Sequence, residues 1–95
     1  MKGYVVCVYK SIANEEKLKE YAIKARVAVE KFQGKFLIRG GRSTSQEGNK
    51  SPRTVVIEFP SYAQANSFYQ SKEYQEAHSI LKGHVDRQFQ IVEGF

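Results

Sequence analysis

The sequence predicts an α+β fold: a four-stranded antiparallel sheet with its helices packed on one face. Three observations predict it. Four β-branched and aromatic runs punctuate the chain, the stretches between them carry apolar residues at helical spacing, and the order is strand, helix, strand, strand, helix, strand. This is the split βαβ, or ferredoxin-like, arrangement. Right-handed crossovers then put both helices on the same side of the sheet.

The first strand is Gly3 to Lys10, Gly-Tyr-Val-Val-Cys-Val-Tyr-Lys. It is apolar at both parities, which marks a strand buried on both faces and central in the sheet. Asn14 is an N-cap, and Glu15 and Glu16 suit the positive end of the helix dipole. Leu18, Tyr21, Ala22, Ala25, Val29 and Phe32 recur at helical spacing, with Gly34 as the C′ residue that ends the helix. Lys35 to Arg39 is the second strand, bent at Gly40-Gly41, with Arg42 to Ser45 as its continuation.

Glu47-Gly48-Asn49-Lys50-Ser51-Pro52 is a turn by composition, and Thr54 to Phe59 returns as the third strand of a long hairpin. Pro60-Ser61 opens the second helix. Ser61-Tyr62-Ala63-Gln64 fits a capping box, with Gln64 reaching back to the N–H of the cap. Ser71 caps a further helical segment, with Glu73 in its first turn and Tyr74, Ala77, His78 and Leu81 on one face. Gly83 ends it. Arg87 to Val92 is the fourth strand, with Phe89 and Ile91 on one face and Gln88, Gln90 and Val92 on the other.

Helices on one side leave the other sheet face bare. It would offer Val, Ile and Phe side chains to water, a larger apolar patch than a monomer exposes. A second copy packed sheet to sheet removes the patch, so a homodimer is expected. The 95 residues suffice for one domain, 1–95, and a core of that size is readily supplemented by a partner subunit.

Composition excludes several function classes. Hydrophobic residues at 41% and charged residues at 26% suit a globular chain rather than a disordered one. No apolar run is long enough to cross a membrane, and no signal peptide precedes the first strand. The lone Cys7, among Val5, Val6, Val8 and Tyr9, reads as an inert buried thiol. Together these point to the cytoplasm. The net charge of +5 raises the question of nucleic acid, but the basic residues are spread along a solvent-facing helix and the hairpin. No RNA-binding strand motif, zinc finger or helix-turn-helix spacing accompanies them, so no nucleic-acid partner is expected. One Cys with His78 and His84 matches no zinc spacing, so no metal is expected. Without a phosphate loop, dinucleotide fingerprint or nucleophile elbow, no cofactor is expected either.

Arg39-Gly40-Gly41, Glu47-Gly48, the strand exit Val55-Val56-Ile57-Glu58-Phe59-Pro60-Ser61, and Tyr69-Gln70-Ser71-Lys72-Glu73-Tyr74 stand in a fixed order and spacing. In that order they resemble a bacterial family of small dimeric α+β barrel proteins, the group labelled domain of unknown function 1330. The likeness runs from Lys2-Gly3-Tyr4 to Val92-Glu93-Gly94. It departs at Phe68, where the family usually has Trp, and at Lys82, where it often has Arg. The resemblance implies a homodimer whose two sheets form a barrel, with a pocket in each subunit between sheet and helices. It implies no particular reaction. The wider superfamily includes cofactor-free quinone-forming monooxygenases, haem-degrading monooxygenases and lactone isomerases, and a shared fold does not choose among them.

The candidate site residues follow. Arg39 ends an apolar strand, and Glu58 stands near the end of its hairpin partner. Charges so placed are rarely buried unless paired. In the functional reading Arg39 grips a carboxylate or enolate with its planar fork, and Glu58 orients it or acts as a base. In the structural reading they form an ion pair between strands, or two solvated strand ends. Tyr69, Ser71 and Tyr74 flank the break in the second helical region, where two phenols, a hydroxyl and free backbone N–H groups would orient a small acid or aromatic. Tyr74 also reads as core, and Ser71 as a cap alone. Tyr21 reads as core first and as a second wall of the same pocket.

His78 lies on the apolar helix face beside Tyr74 and Leu81. It reads as a proton carrier or as a satisfied core or interface histidine. Its spacing from Ser71 and Tyr74 resembles the haem-ligand helix of the haem-degrading members. Those enzymes use an Asn on the first strand and a Trp on the second helix. This chain has neither, and Phe68 takes the Trp place. His84 reads as a solvated loop residue. The expected function is a small-ligand-binding homodimer: a cofactor-independent enzyme of oxygenase or isomerase type acting on a small organic acid, phenol or lactone. Arg39 would hold the anionic oxygen, and Glu58 or His78 would move a proton. The alternative is a metabolite-binding or sensing module without turnover. Haem degradation with His78 as ligand is a third reading.

Overall fold

The computed structural model describes residues 1–95 and runs β1 (Gly3–Ile12), α1 (Glu15–Lys31), β2 (Lys35–Arg39), β3 (Arg53–Phe59), α2 (Tyr62–Gln70), α3 (Lys72–Leu81) and β4 (Val85–Glu93). The sheet order is β2-β3-β1-β4, antiparallel throughout. The three helices cover one face, which is the ferredoxin-like arrangement the sequence predicts.

β1 is central, but its two parities have different fates. Val5, Cys7 and Tyr9 are buried under the helices, whereas Tyr4, Val6 and Val8 are only half-buried on the outer face. Around them on that face lie Thr54, Val56 and Glu58 of β3 and Gln88, Gln90 and Val92 of β4. Ile38 of β2 joins them through its pairing with Val56. Ile38 and Val92 keep 46% and 43% of their surface exposed, so the outer face is an apolar surface that the single chain leaves open.

The helix ends show which local signals the chain uses. The Asn14 side chain accepts the Lys17 N–H at 3.0 Å, as a cap should. At the other end of α1 the expected role of Gly34 needs correction. Gln33, with φ 65°, is the left-handed residue. The Gln33 N–H donates to Glu30 O and the Gly34 N–H to Val29 O, at 3.1 and 2.8 Å, which closes a Schellman motif. Gly34 is required for a different reason. A Cβ there would lie 2.7 Å from both the Phe59 ring and Val29 Cγ1. The expected capping box is half formed. Ser61 Oγ accepts the Gln64 N–H, but the Gln64 side chain donates to Phe32 O instead of returning to the cap.

Ser71 breaks the second helical region with a single extended residue. Its hydroxyl donates to Phe68 O at 2.7 Å and accepts the Tyr74 N–H at 3.1 Å, so it closes α2 and opens α3. The break turns Phe68 and Tyr74 into one cluster with Phe59, at ring separations of 4.9 and 4.7 Å. Lys31 and Glu73 pair across α1 and α3, and the hydrogen bond from Lys31 holds the Glu73 carboxyl below its ordinary value.

Two boundaries move. Gly40 and Gly41, at φ 71° and 90°, turn the chain away, so Arg42 to Ser45 do not continue β2. β4 starts at Val85, before Arg87, because β1 runs on past a bulge after Tyr9 and pairs Ile12 with Val85. His84 is consequently half-buried rather than a free loop residue, and its carbonyl accepts the Ala13 N–H at 2.8 Å.

The helix end gives a paired prediction. Gln33→Gly removes the left-handed strain and should stabilise the protein by up to about 1 kcal/mol. Gly34→Ala drives a methyl into Phe59 and Val29 and should cost about 1–3 kcal/mol. Urea unfolding at one fixed protein concentration reads both, and a destabilised Gln33→Gly or a stabilised Gly34→Ala would contradict this account of the turn.

Candidate ligand-binding site

Strand register sorts the inner face into rows. One row is apolar: Phe36, Ile57, Val5 and Ile91. The next holds Arg39, Val55, Cys7 and Phe89. The last is Arg53, Tyr9 and Arg87. Alternation explains the placement. Arg53 shares its face with Val55 and Ile57, and Arg87 shares its face with Phe89 and Ile91. Three arginines therefore share the helix-covered face at one end of the sheet, Arg53 and Arg87 half-buried and Arg39 exposed at its edge.

Arg87 is the hub. Its Nη1 donates to the hydroxyls of Tyr9 and Tyr21 at 3.1 and 3.3 Å and meets Cys7 Sγ at 3.5 Å. Its Nη2 donates to the Tyr74 hydroxyl at 2.9 Å. The Tyr21 and Tyr74 hydroxyls are themselves 2.8 Å apart. The guanidinium also lies against the rings of Phe89 and Tyr21, at 4.9 and 5.2 Å from their centroids. None of the chain's ion pairs includes Arg39, Arg53 or Arg87.

The electrostatics follow from this packing. Burial works against the Arg87 charge, but the oxygens of Tyr21 and Tyr74 and the Cys7 sulfur outweigh it, and the group stays protonated. Burial pushes the Tyr9 phenol up to about 12 and the Tyr74 phenol well above its ordinary value. The Cys7 thiol is raised by burial too. These groups are neutral near pH 7, so they act through hydrogen bonds. Arg87 uses the phenol oxygens as acceptors, and one O–H bridges Tyr21 to Tyr74. The Tyr9 hydroxyl also meets the Cys7 sulfur, and one proton of the Tyr21–Tyr74 pair has no oxygen in the chain to donate to.

Two recesses meet at Arg87. A narrow crevice of about 30 Å³ lies between α1 and the sheet, walled by Leu18, Ala22, Phe36 and Val55 together with the three arginines, Tyr9 and Tyr21. It has room for roughly one or two waters. The buried Nε of Arg53 on this wall has no partner. A wider cleft of about 390 Å³ opens on the other side of Arg87, lined by Tyr69, His78, Lys82, Asp86 and Phe89.

The expected site residues divide accordingly. Tyr21 and Tyr74 converge on Arg87, Arg39 lines the narrow crevice, and Tyr69 and His78 line the wide cleft. The His78 ring stacks on Tyr74, with centroids 5.9 Å apart. Burial, then the charges of Arg87 and Lys82, lower its pKa, so its imidazole is neutral at neutral pH. Both hydrogen-bonding capacities of the Ser71 hydroxyl are spent on helix ends.

Arg39 and Glu58 do not meet. Arg39 pairs in register with Val55, and its guanidinium lies over the Phe36 ring at 4.8 Å. Glu58 faces the outer side, where its carboxylate accepts the Tyr4 hydroxyl at 3.2 Å and pairs with Lys2 at 3.5 Å. Antiparallel pairing sets them at opposite ends of the hairpin, Glu58 opposite Lys35 and Arg39 opposite Val55, and the irregularity between Phe36 and Ile38 also turns Arg39 to the other face. Arg87, Arg53 and Tyr9 escaped the sequence reading. Their signal was parity: Arg87 alternates in step with Phe89 and Ile91.

No three His, Cys, Asp or Glu side chains converge as a metal set would. For the haem reading, His78 lines the wide cleft and not the narrow crevice, and Phe68, in the place of the Trp, is packed into the Phe59–Tyr74 cluster.

Comparison with known proteins agrees on fold. A family profile described as domain of unknown function (DUF1330) matches residues 2–95. A protein of unknown function from Rhodopseudomonas palustris superposes with TM-score 0.80 at 16% identity, over 99% of this chain and 82% of that one. A dimeric ferredoxin-like protein of unknown function from Jannaschia sp. CCS1 gives TM-score 0.79 at 13% identity, over 99% and 100%. A candidate antibiotic biosynthesis monooxygenase from Caulobacter crescentus CB15 gives 0.64 at 9% identity, over 99% and 89%. No functionally curated protein matches the chain.

The lowered pKa of His78 makes a pH prediction. The unfolded chain takes up this proton near 6.5, whereas the folded protein resists it to lower pH. Stability present above that pH should therefore fall as pH drops through it. Urea unfolding across the window should show the loss, and His78→Gln should flatten it. An unchanged slope in the variant would remove His78 as its source.

Proposed function

This chain belongs to the family described as domain of unknown function (DUF1330), and from that premise we propose a cytoplasmic homodimer that binds a small organic acid, phenol or lactone in each subunit. Residues 1–95 act as one dimeric α+β barrel domain. The observation that carries the ligand reading is the environment of Arg87. Its charge is partly buried, held by three phenols and a thiol, and matched by no carboxylate. A buried charge is stabilised best by an opposite charge with good hydrogen-bond geometry. The free phenol proton and the orphan Arg53 Nε–H call for the same complement, an anionic or strongly polarised oxygen.

Arg39 lies on the crevice wall and suits the gripping role its sequence position suggests. Proton transfer falls to His78, which is neutral and stands across Arg87 in the wider cleft. Glu58 belongs to the opposite face, beside Lys2 and Tyr4, and contributes to the sheet surface instead. That surface supports the dimer: Val6, Val8, Val56, Ile38 and Val92 form a patch that a second sheet covers. Solved neighbours of the same fold are described as dimeric.

Light scattering at micromolar concentration should give twice the 10.9 kDa of one chain. Val56→Glu should give the single mass, and a monomeric wild type would overturn the dimer. For the pocket, a thermal-shift panel of organic acids, phenols and lactones should contain a class that raises the melting temperature. Arg87→Met should weaken that binding at least about tenfold, since hydrogen bonds to a charged group are worth about 1.5–3 kcal/mol. If His78→Ala then lowers turnover while affinity persists, the protein is an enzyme. If only affinity responds, it is a binding or sensing module. Binding that ignores Arg87→Met would discard the site.

A further inference from the structure

We propose that the narrow crevice is a carboxylate site, in which the head of a small apolar monocarboxylate lies between Arg53 and Arg87 over Tyr9. This narrows the small-ligand reading to one class and rests on that reading. Arg53 and Arg87 flank Tyr9 in one row. Two strand spacings put their backbones about 9–10 Å apart, within converging reach of two arginine side chains. Both line the crevice, with Arg39 as a third cation on the β2 side and no Asp or Glu on the wall.

Arg53 is held for this role. Its N–H donates to Ser51 Oγ at 3.2 Å, and that hydroxyl lies 2.6 Å from Tyr9 O, which pins the start of β3 to β1. Gly40 clears space beside it, since a Cβ there would sit 2.8 Å from Arg53 Nη1. Yet the buried Nε–H has no acceptor. A buried donor without a partner is costly, and a ligand oxygen is the complement this site lacks.

The donors that line the crevice select the head group. A carboxylate presents two oxygens in one plane, whereas the three oxygens of a phosphonate are disposed tetrahedrally. Guanidinium forks match that planar pair. The Tyr9 hydroxyl, now on the Cys7 sulfur, is a further donor on the same row. The apolar body then continues out of the narrow space toward solvent, against Leu18, Ala22, Phe36 and Val55.

Isothermal titration with benzoate, hexanoate, benzamide, phenylphosphonate, a neutral phenol and a lactone tests the assignment. A carboxylate should bind wild type at least about tenfold tighter than benzamide or phenylphosphonate. Arg53→Gln should erase the advantage of benzoate over benzamide. Arg53→Lys keeps the charge but loses the Nε–H and the fork, and should also weaken benzoate without touching benzamide. This second variant decides the matter if the first fails to fold. Benzamide or phenylphosphonate binding as tightly as benzoate would overturn the carboxylate site, as would full benzoate affinity in Arg53→Lys. If the carboxylates fail while the phenol or lactone binds, the carboxylate site falls and the ligand-binding reading stands. If nothing binds, both fall.

Discussion

Arg87 brings a positive charge beneath the helices with no carboxylate to meet it, and the inner layer is arranged around that fact. Its partners arrive from three elements: Tyr9 from β1, Tyr21 from α1 and Tyr74 from α3. Each phenol is apolar along its body and polar at its tip, so it packs as core while presenting an oxygen to the guanidinium. The cluster ties the sheet to both outer helices. It also makes the break at Ser71 consequential, because that break opens α3 and sets Tyr74 on its first turn over the sheet.

The sheet separates two kinds of surface. Its helix-covered face grades from an apolar row through a mixed row to the row Arg53, Tyr9 and Arg87. Its other face is mostly apolar and half-open, with Glu58, Lys2 and Tyr4 as a polar group at one end. β1 serves both faces at once, which is why its sequence is apolar at every position from Tyr4 to Tyr9. The crevice and the open apolar face thus lie on opposite sides of one sheet. Each can change without repacking the other, since strand alternation isolates the two sets of side chains.

Much of the fold was legible in the sequence. Element order, the Asn14 and Ser61 caps, the break at Ser71 and the bend at Gly40-Gly41 are local signals, set by a few neighbouring residues. Local signals also misled where two mechanisms share one residue type. Gly34 looked like a left-handed cap, but it is small because Phe59 and Val29 crowd it, and Gln33 takes the positive φ instead. Only distant packing distinguishes those reasons.

The candidate site was less legible. The sequence by itself determined that Arg39 stands at a strand end, that Tyr21, Tyr74 and His78 fall on inward helix faces, and that β1 serves a two-sided sheet. Tertiary structure alone decided which of them meet. Antiparallel pairing put Arg39 and Glu58 at opposite ends of the hairpin, and a single irregularity in β2 turned Arg39 to the inner face, because one extra residue reverses every side chain beyond it. Arg87 marked only the start of the fourth strand until register set it beside Arg53 across Tyr9. Periodicity says which face a residue takes, but the neighbours on that face come from strand pairing over long sequence separations, and no local pattern encodes them.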